Sequence, residues 1–287
     1  MAQTRVLITV KTYPTLSEKY DELVCTAGFR EDGSWIRIYP IPFRKLDYQN
    51  QYHKWQWINI DITKNTSDFR PESFRPVDID KPFIVGETVG TEDDWKTRKS
   101  IAMNNVYTNM SVLIQKAKDD KDGTSLAIVK PSKVIDFIWE PCEREWDTKK
   151  MSVIEANQSQ QSLFEDVKRL FKVVAKLPYK FSYVFTTEDG VERTLMIEDW
   201  ELGQLYWNCL KAARGDESVA CQKVKEKFFT HMIKKRDLHF FMGTTRLFHK
   251  VAPNPFIIIG TFYPPKVDAT LYCTPKVGHF WGVFYEI

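Results

Sequence analysis

The sequence predicts an α+β protein, rich in strands in its first half and with helices covering a sheet in its second half. Two observations support this fold class. Apolar and polar residues alternate in three segments of the first 65 residues, which is the period of a strand. Between residues 197 and 237, apolar residues recur twice at helical spacing, and the run PFIIIGTF that follows is apolar on both faces, as in a central strand.

The first three predicted strands have the same alternation of inward and outward residues. Val6, Ile8 and Val10 are expected on one face of the first strand. The next two strands should turn isoleucines inward and polar or aromatic side chains outward. The inward set is Ile36, Ile38, Ile58, Ile60 and Ile62, and the outward set is Trp35, Arg37, Tyr39, Trp57, Asn59 and Asp61. A turn at 31–33 is expected to join two of these strands in a hairpin.

Further along the chain, a helix is predicted from about residue 94 to 118, followed by two strands that break at Pro131. The polar segment 147–161 is predicted to be a linker. We therefore expect a β-rich region over 1–146 and an α+β domain over 162–287.

The second domain should begin with a hairpin that turns at 188–190. Two helices follow, with Asp199 and Asp216 as their N-caps. The chain then returns to strands at LHFFMG and PFIIIGTFYPP.

Composition excludes several classes of protein. No apolar run approaches the roughly 18 residues of a membrane helix, and the N-terminus lacks a secretory signal pattern, so we expect a cytoplasmic protein without membrane contact. The five cysteines form no C-x-x-C pair, which argues against a zinc site or a disulfide framework. The net charge of +3 is too small to indicate a polyanionic partner, so any such argument depends on local placement.

The local feature that indicates a polyanionic partner is a row of aromatic and cationic side chains on the outward strand face. A face that interleaves rings with cations suits single-stranded DNA or RNA, because bases stack and phosphates need neutralising. The predicted binding residues are Trp35 and Tyr39 for bases, and Arg37, Arg44 and Lys54 for phosphates. The pairs Phe69-Arg70 and Phe74-Arg75 lie nearby in sequence. The alternative is that these aromatics are half-buried against the second unit, with the arginine stems lying over them.

Residues 22–44, ELVCTAGFREDGSWIRIYPIPFR, resemble the opening of the dual OB-fold domain family of bacterial defence-associated proteins. The matching positions are Cys25, Ala27, Gly28, Trp35, Ile36 and Arg37. The resemblance covers the region 1–146 and departs from the family in the Tyr-Pro-rich segment after Arg37. It implies OB-like β-barrels, nucleic-acid binding and a setting in genome defence. The C-terminal part resembles uncharacterised bacterial proteins, which imply no activity.

Two alternatives from other functional classes stay open. Glu198, Asp199, Asp237 and His239 are candidates for a metal-dependent nuclease or phosphodiesterase, for which Mg²⁺ would be the cofactor. The plainer interpretation is that the acids belong to a helix start and that His239 is a core residue. The third possibility is a protein-interaction subunit of a defence complex, in which the aromatic row is the interface.

Overall fold

The structure, a computed structural model, describes residues 3–81, 83–164 and 171–266. The predicted α+β class is confirmed. The strands are β1 (Thr4–Lys11), β2 (Thr15–Ser17), β3 (Asp21–Arg30), β4 (Trp35–Ile41), β5 (Gln56–Ile60), β6 (Ile62–Lys64), β7 (Ser73–Pro76), β8 (Ile84–Thr88), β9 (Val106–Tyr107), β10 (Leu126–Val129), β11 (Lys133–Pro141), β12 (Tyr179–Thr186), β13 (Glu192–Met196), β14 (His239–Thr244) and β15 (Phe256–Phe262). The α-helices are α1 (Glu92–Ala102), α2 (Met110–Lys118), α3 (Thr148–Phe164), α4 (Trp200–Ala212), α5 (Glu217–Lys225) and α6 (Met232–Lys235).

Within these residues the strands form three sheets. The N-terminal sheet has the order β6-β7-β4-β3-β1-β5-β8, with β2 on β3, and it curls into a half-barrel. The second sheet has the order β15-β14-β10-β9, and the third is β11-β12-β13. Helices α4 and α5 pack with the third sheet around one hydrophobic core, so the predicted sheet-plus-helices unit is confirmed.

The central strands β1 and β3 of the N-terminal sheet are buried on both faces. The concave face encloses a core that includes Val6, Ile36 and Ile58, in agreement with the predicted inward set. The convex face packs against β10, β14 and β15 through a second apolar layer, which we call the seam. The seam includes Leu7, Val10, Phe29, Trp55, Leu126, Ile128, Phe241, Ile259 and Phe262. The face predicted to be outward is therefore covered over much of its area.

A bulge in β1 corrects the predicted facing of its last residues. The register against β3 shifts between Ile8 and Val10, which inserts Thr9 as the extra residue. Val10 consequently joins the seam and not the concave core of Val6 and Ile8. Lys11 consequently lies on the side of the concave core, where its ammonium is 3.6 Å from the ring centre of Phe43.

Two predicted segments differ from the structure. The helix predicted over 94–118 is two helices, α1 and α2, separated by the short strand β9. Asn109 starts the second helix by accepting hydrogen bonds from the backbone of Ser111 and Val112. The predicted linker 147–161 lies almost entirely in α3, and the strands on either side of it, β11 and β12, pair with each other. This segment therefore connects strands of one sheet instead of separating two units.

The predicted N-caps are confirmed. Asp199 accepts from the backbone of Glu201 at the start of α4, and Asp216 accepts from that of Val219 at the start of α5. Among the helices in the described ranges, none has both the length and the apolar character that crossing a bilayer requires.

Candidate functional site

The predicted binding residues do not share one open surface. Trp35 is half-buried in the seam, with its ring 4.1 Å from that of Phe29 and 5.6 Å from that of Phe241. Its ring is therefore engaged by the protein itself, because β14 covers the strand face that the alternation turned outward. This matches the alternative interpretation of the aromatic row as packing.

Arg37 is also buried, with 3% of its surface exposed. Its guanidinium donates to the hydroxyls of Ser73 and Ser125, at 3.3 and 2.8 Å, and to the carbonyl of Ser125 at 3.2 Å. Burial, with the nearby charge of Arg70, lowers the pKa of Arg37. Arg37 thus joins β4 to the start of β10 and is not placed to meet a phosphate outside the protein.

Arg44 and Lys54 are held by carboxylates. Arg44 donates to Glu22 at 2.7 Å. The Lys54 ammonium lies 2.8 Å from both carboxylate oxygens of Asp199 and 3.1 Å from Glu201, and its side chain is 8% exposed. Although burial opposes it, attraction to Asp199 and Glu201 raises the pKa of Lys54. Both cations are thus neutralised within the fold.

Tyr39 remains 38% exposed and lies at the mouth of a cavity of about 730 Å³ at one end of the seam. We call this the arginine cavity, because four arginines line it: Arg37, Arg70, Arg75 and Arg246. Pro40, Ile257 and Ile259 form apolar parts of its wall. The volume lies within the range of roughly 300–1,000 Å³ typical of small-ligand sites.

The charges of the arginine cavity do not cancel. Arg70 is paired with Asp68, whose carboxylate it contacts through Nε at 2.8 Å. Burial opposes ionisation of Asp68, but the bonds and charge of Arg70 lower its pKa to about 2. Arg75 and Arg246 are exposed, and in the described part of the chain neither pairs with a carboxylate. The mouth of the cavity is therefore positively charged.

Two loops form the rim of the cavity, residues 65–72 between β6 and β7, and residues 245–255 between β14 and β15. They are tied together, since Arg70 donates to the carbonyl of Thr244 and Arg246 donates to that of Ser67 at 2.7 Å. Each loop exposes a phenylalanine, Phe69 at 59% and Phe248 at 56%. Of the exposed rings, Tyr39 lines the cavity beside the two unneutralised arginines, whereas Phe69 and Phe248 belong to the loops but are not among the lining residues. The ring of Phe69 lies 5.4 Å from that of His249.

The interior of the cavity offers hydrogen-bonding groups. Glu198 lines it, and among the described residues its carboxylate has no hydrogen-bond or ion-pair partner. Burial raises the pKa of Glu198, which favours the protonated form that can both donate and accept. The buried hydroxyl of Thr245 also lacks a partner within the described ranges. A ligand entering the cavity would meet these two polar groups.

The four nuclease candidates are not brought together. Glu198 faces the arginine cavity, whereas Asp199 is bound to Lys54. Asp237 pairs with Lys130, and His239 is 2% exposed, with Nδ1 donating to the Asp237 carbonyl at 3.0 Å. In the described residues, no group of three or more His, Cys, Asp and Glu side chains is arranged to hold a metal ion.

Sequence reasoning named the pairs Phe69-Arg70 and Phe74-Arg75 but missed the second rim loop. Arg246 and Phe248 lie in the segment TTRLFHK, which interleaves cations with an aromatic ring as the strand segments do. The same pattern that marked the strands could have marked this loop. Local sequence patterns could not predict that these two loops, about 180 residues apart in the chain, lie side by side.

The fold and the cavity define an α+β protein with a half-barrel joined to a sheet-and-helix unit along a seam, and with a cationic, aromatic-rimmed cavity at one end. Residues 106–280 match the family described as Domain of unknown function (DUF8757), and the chain belongs to that family. Residues 2–104 match a second family, Domain of unknown function (DUF8758). The two matches meet where β9 begins, at the change from the N-terminal sheet to the second sheet. No curated protein matched the chain.

Proposed function

We propose that the protein binds single-stranded nucleic acid, DNA or RNA, at the arginine cavity. The observation that supports this most is the cavity lining, where the exposed ring of Tyr39 stands with two arginines that no described carboxylate neutralises, and where each of the two contributing loops also exposes a phenylalanine. Rings stack on bases without regard to sequence, and arginines contact the phosphates between them. The resemblance to the dual OB-fold family supports the same function in a genome-defence setting.

In this proposal Arg75 and Arg246 contact phosphates, and Tyr39 and Phe69 stack on bases. The cavity behind them has room for one unstacked base, which would meet Glu198 and Thr245. Single strands suit such a site because an unpaired base can leave its stack at low cost.

The test is fluorescence anisotropy with labelled single- and double-stranded DNA and RNA over a range of salt concentrations. We expect salt-dependent binding to single strands. The double variant Arg75→Gln/Arg246→Gln should weaken binding and flatten the plot of log K against log salt by about 0.7 per lost phosphate contact. Tyr39→Ala should weaken binding by roughly 1 kcal/mol or more through lost stacking.

The matched control is Lys149→Gln/Lys150→Gln, which removes the same charge from exposed lysines of α3 that do not line the cavity. Equal weakening by both double variants would show a non-specific charge effect and contradict the proposed site. The absence of binding to all four nucleic acids at low salt would contradict the function itself.

One observation favours a protein-interaction role as the second candidate. The rim loop 245–255 also exposes Leu247 at 75% and Val251 at 74%, and exposed apolar clusters mark protein interfaces. Affinity for a protein held by such contacts changes little with salt, whereas phosphate contacts weaken steeply. The salt titration therefore separates the two functions.

A further inference from the structure

A second cleft, of about 600 Å³, is lined by a different set of residues from the arginine cavity. We call it the tryptophan cleft, because its walls include Trp55, Trp95 and Trp200. Glu198 lines the arginine cavity, whereas the Lys54 that binds Asp199 lines the tryptophan cleft. The two clefts thus share no side chain and can be altered independently.

The tryptophan cleft contains a buried cation that contacts no anion among the described residues. Lys11 lines it and is 7% exposed, and within the described residues its ammonium has no hydrogen bond or ion pair. It is surrounded by rings, 3.6 Å from the centre of Phe43 and 4.8 Å from that of Trp200. Ring contacts stabilise a cation only in part, and a buried ammonium without a hydrogen-bond acceptor is costly. An anion in the cleft would remove that cost.

The carboxylates nearest to Lys11 are already engaged. Asp199 and Glu201 both bind Lys54, and with Lys11 these four charges balance, although neither carboxylate contacts Lys11 directly. Arg98, which also lines the cleft, leaves it with one positive charge in excess. Burial and repulsion from Lys54 lower the pKa of Lys11 to about 8. At neutral pH the ammonium form therefore still predominates.

Arg98 adds a second cation to the same cleft. It stacks between Trp55 and Trp95, at 4.8 and 5.0 Å from the ring centres, and two of its nitrogens donate to the carbonyl of Val89. In the part of the chain that the structure describes, Arg98 has no carboxylate partner. Its remaining donors are available to an anion in the cleft.

The rest of the wall suits a planar heterocycle. The rings of Trp95, Trp200 and Tyr263 are half-buried and line the cleft, so a flat ring has aromatic surface to pack on. Gln204 and Asn208 lie one turn apart on the same side of α4 and also line it. Among the described residues, neither amide has a hydrogen-bond partner, so both can bond the edge of a base.

We propose that the tryptophan cleft binds a phosphate monoester that carries a planar heterocycle, the chemistry that a free nucleotide or the 5′-phosphorylated end of a strand presents. The phosphate meets Lys11 and Arg98, the ring packs on Trp95, and the amides of α4 contact its edge. This site is separate from the arginine cavity and does not depend on the function proposed there.

The experiment is isothermal titration calorimetry of the full chain with AMP, GMP, CMP and UMP, with adenosine and inorganic phosphate as partial ligands. Trinucleotides with and without a 5′-phosphate distinguish a strand end from a free nucleotide. We expect at least one nucleotide or 5′-phosphorylated strand to bind more tightly than either partial ligand. Lys11→Met should weaken that binding about tenfold or more, because the charge is lost while the packing volume is kept.

The matched control is Lys19→Met, at a lysine outside the cleft. If Lys11→Met fails to fold, Arg98→Gln takes its place, and Trp95→Leu tests the ring contact. The proposal is overturned if no nucleotide or 5′-phosphorylated strand binds, if inorganic phosphate binds as tightly, or if the cleft variants bind like the wild type.

Discussion

At the scale of single residues, burial decides the charge state of His239. The imidazole is almost fully enclosed, its Nδ1 donates to the Asp237 carbonyl, and its Nε2 lies 3.9 Å from the Asp237 carboxylate, which is itself paired with Lys130. Burial, together with the positive charge of Lys130, lowers the pKa of His239 to about 4. In the unfolded chain a histidine titrates near 6.5.

We therefore expect the protein to lose stability as the pH falls from about 6.5 to 4, because in that window the unfolded state binds a proton that the folded state excludes. The contribution of His239 is of the order of 3 kcal/mol at its largest. Urea unfolding at several pH values should show a flatter dependence for His239→Gln. His53→Gln, at an exposed histidine, is the control. An unchanged dependence in His239→Gln would contradict this assignment.

Burial of single residues also explains which binding residues could be predicted from the sequence. Alternation placed Trp35 and Arg37 on the correct face, but alternation does not reveal whether that face is covered. Arg37 binds Ser125 and Lys54 binds Asp199, and both partners lie far away in the sequence. Such long-range contacts leave no local sequence pattern. Tyr39 remained exposed because it lies near the end of β4, beyond the covering strand.

At the scale of elements, the pairing of β1 with β3 depends on a close backbone approach. Gly28 lies opposite Ile8, next to the bulge. A Cβ at this position would lie 1.9 Å from the carbonyl oxygen of Leu7, too close for any side chain. The pattern of β1 predicted the strand itself but not the bulge, because nothing in the sequence TRVLITVK marks Thr9 as an extra residue.

We expect Gly28→Ala to destabilise the protein by about 2–4 kcal/mol, since the backbone of one strand must move. The control is Gly190→Asn, in a turn where φ is +70° and a Cβ meets nothing within 4 Å. Asparagine tolerates that conformation, so a change below about 1 kcal/mol is expected there. Chemical denaturation measures both. A Gly28→Ala variant as stable as the wild type would show that the strands separate easily.

At the scale of the whole molecule, the seam joins regions that match two different families. Phe241 lies at its centre, within 6.4 Å of the rings of Phe29 and Trp55 from the N-terminal sheet and 6.0 Å from that of Phe262. Local sequence patterns predicted each region separately, but no local pattern indicates how two sheets pack together. The apolar convex face would be exposed if the regions separated.

The full chain should consequently unfold in one cooperative transition, with the same midpoint by tryptophan fluorescence and by far-ultraviolet circular dichroism. Phe241→Ala should lower the stability of the whole molecule by about 3–5 kcal/mol. Two transitions, only one of which moves in Phe241→Ala, would show that the regions unfold independently.

The burial of both faces of β1 and β3 has a consequence for how these strands find their partners. When one face of a sheet is exposed to solvent, a register shift of one residue moves the apolar side chains of the strand into water. The cost of exposing them is then enough to disfavour the wrong register. Here a slipped strand would exchange one apolar set for another, because Leu7 and Phe29 on one face are as hydrophobic as Ile8 and Ile36 on the other. Correct pairing must therefore be enforced by shape. Gly28 lies where a Cβ would clash with the Leu7 carbonyl in the observed alignment, so a slip that brought a larger residue to this place would be resisted.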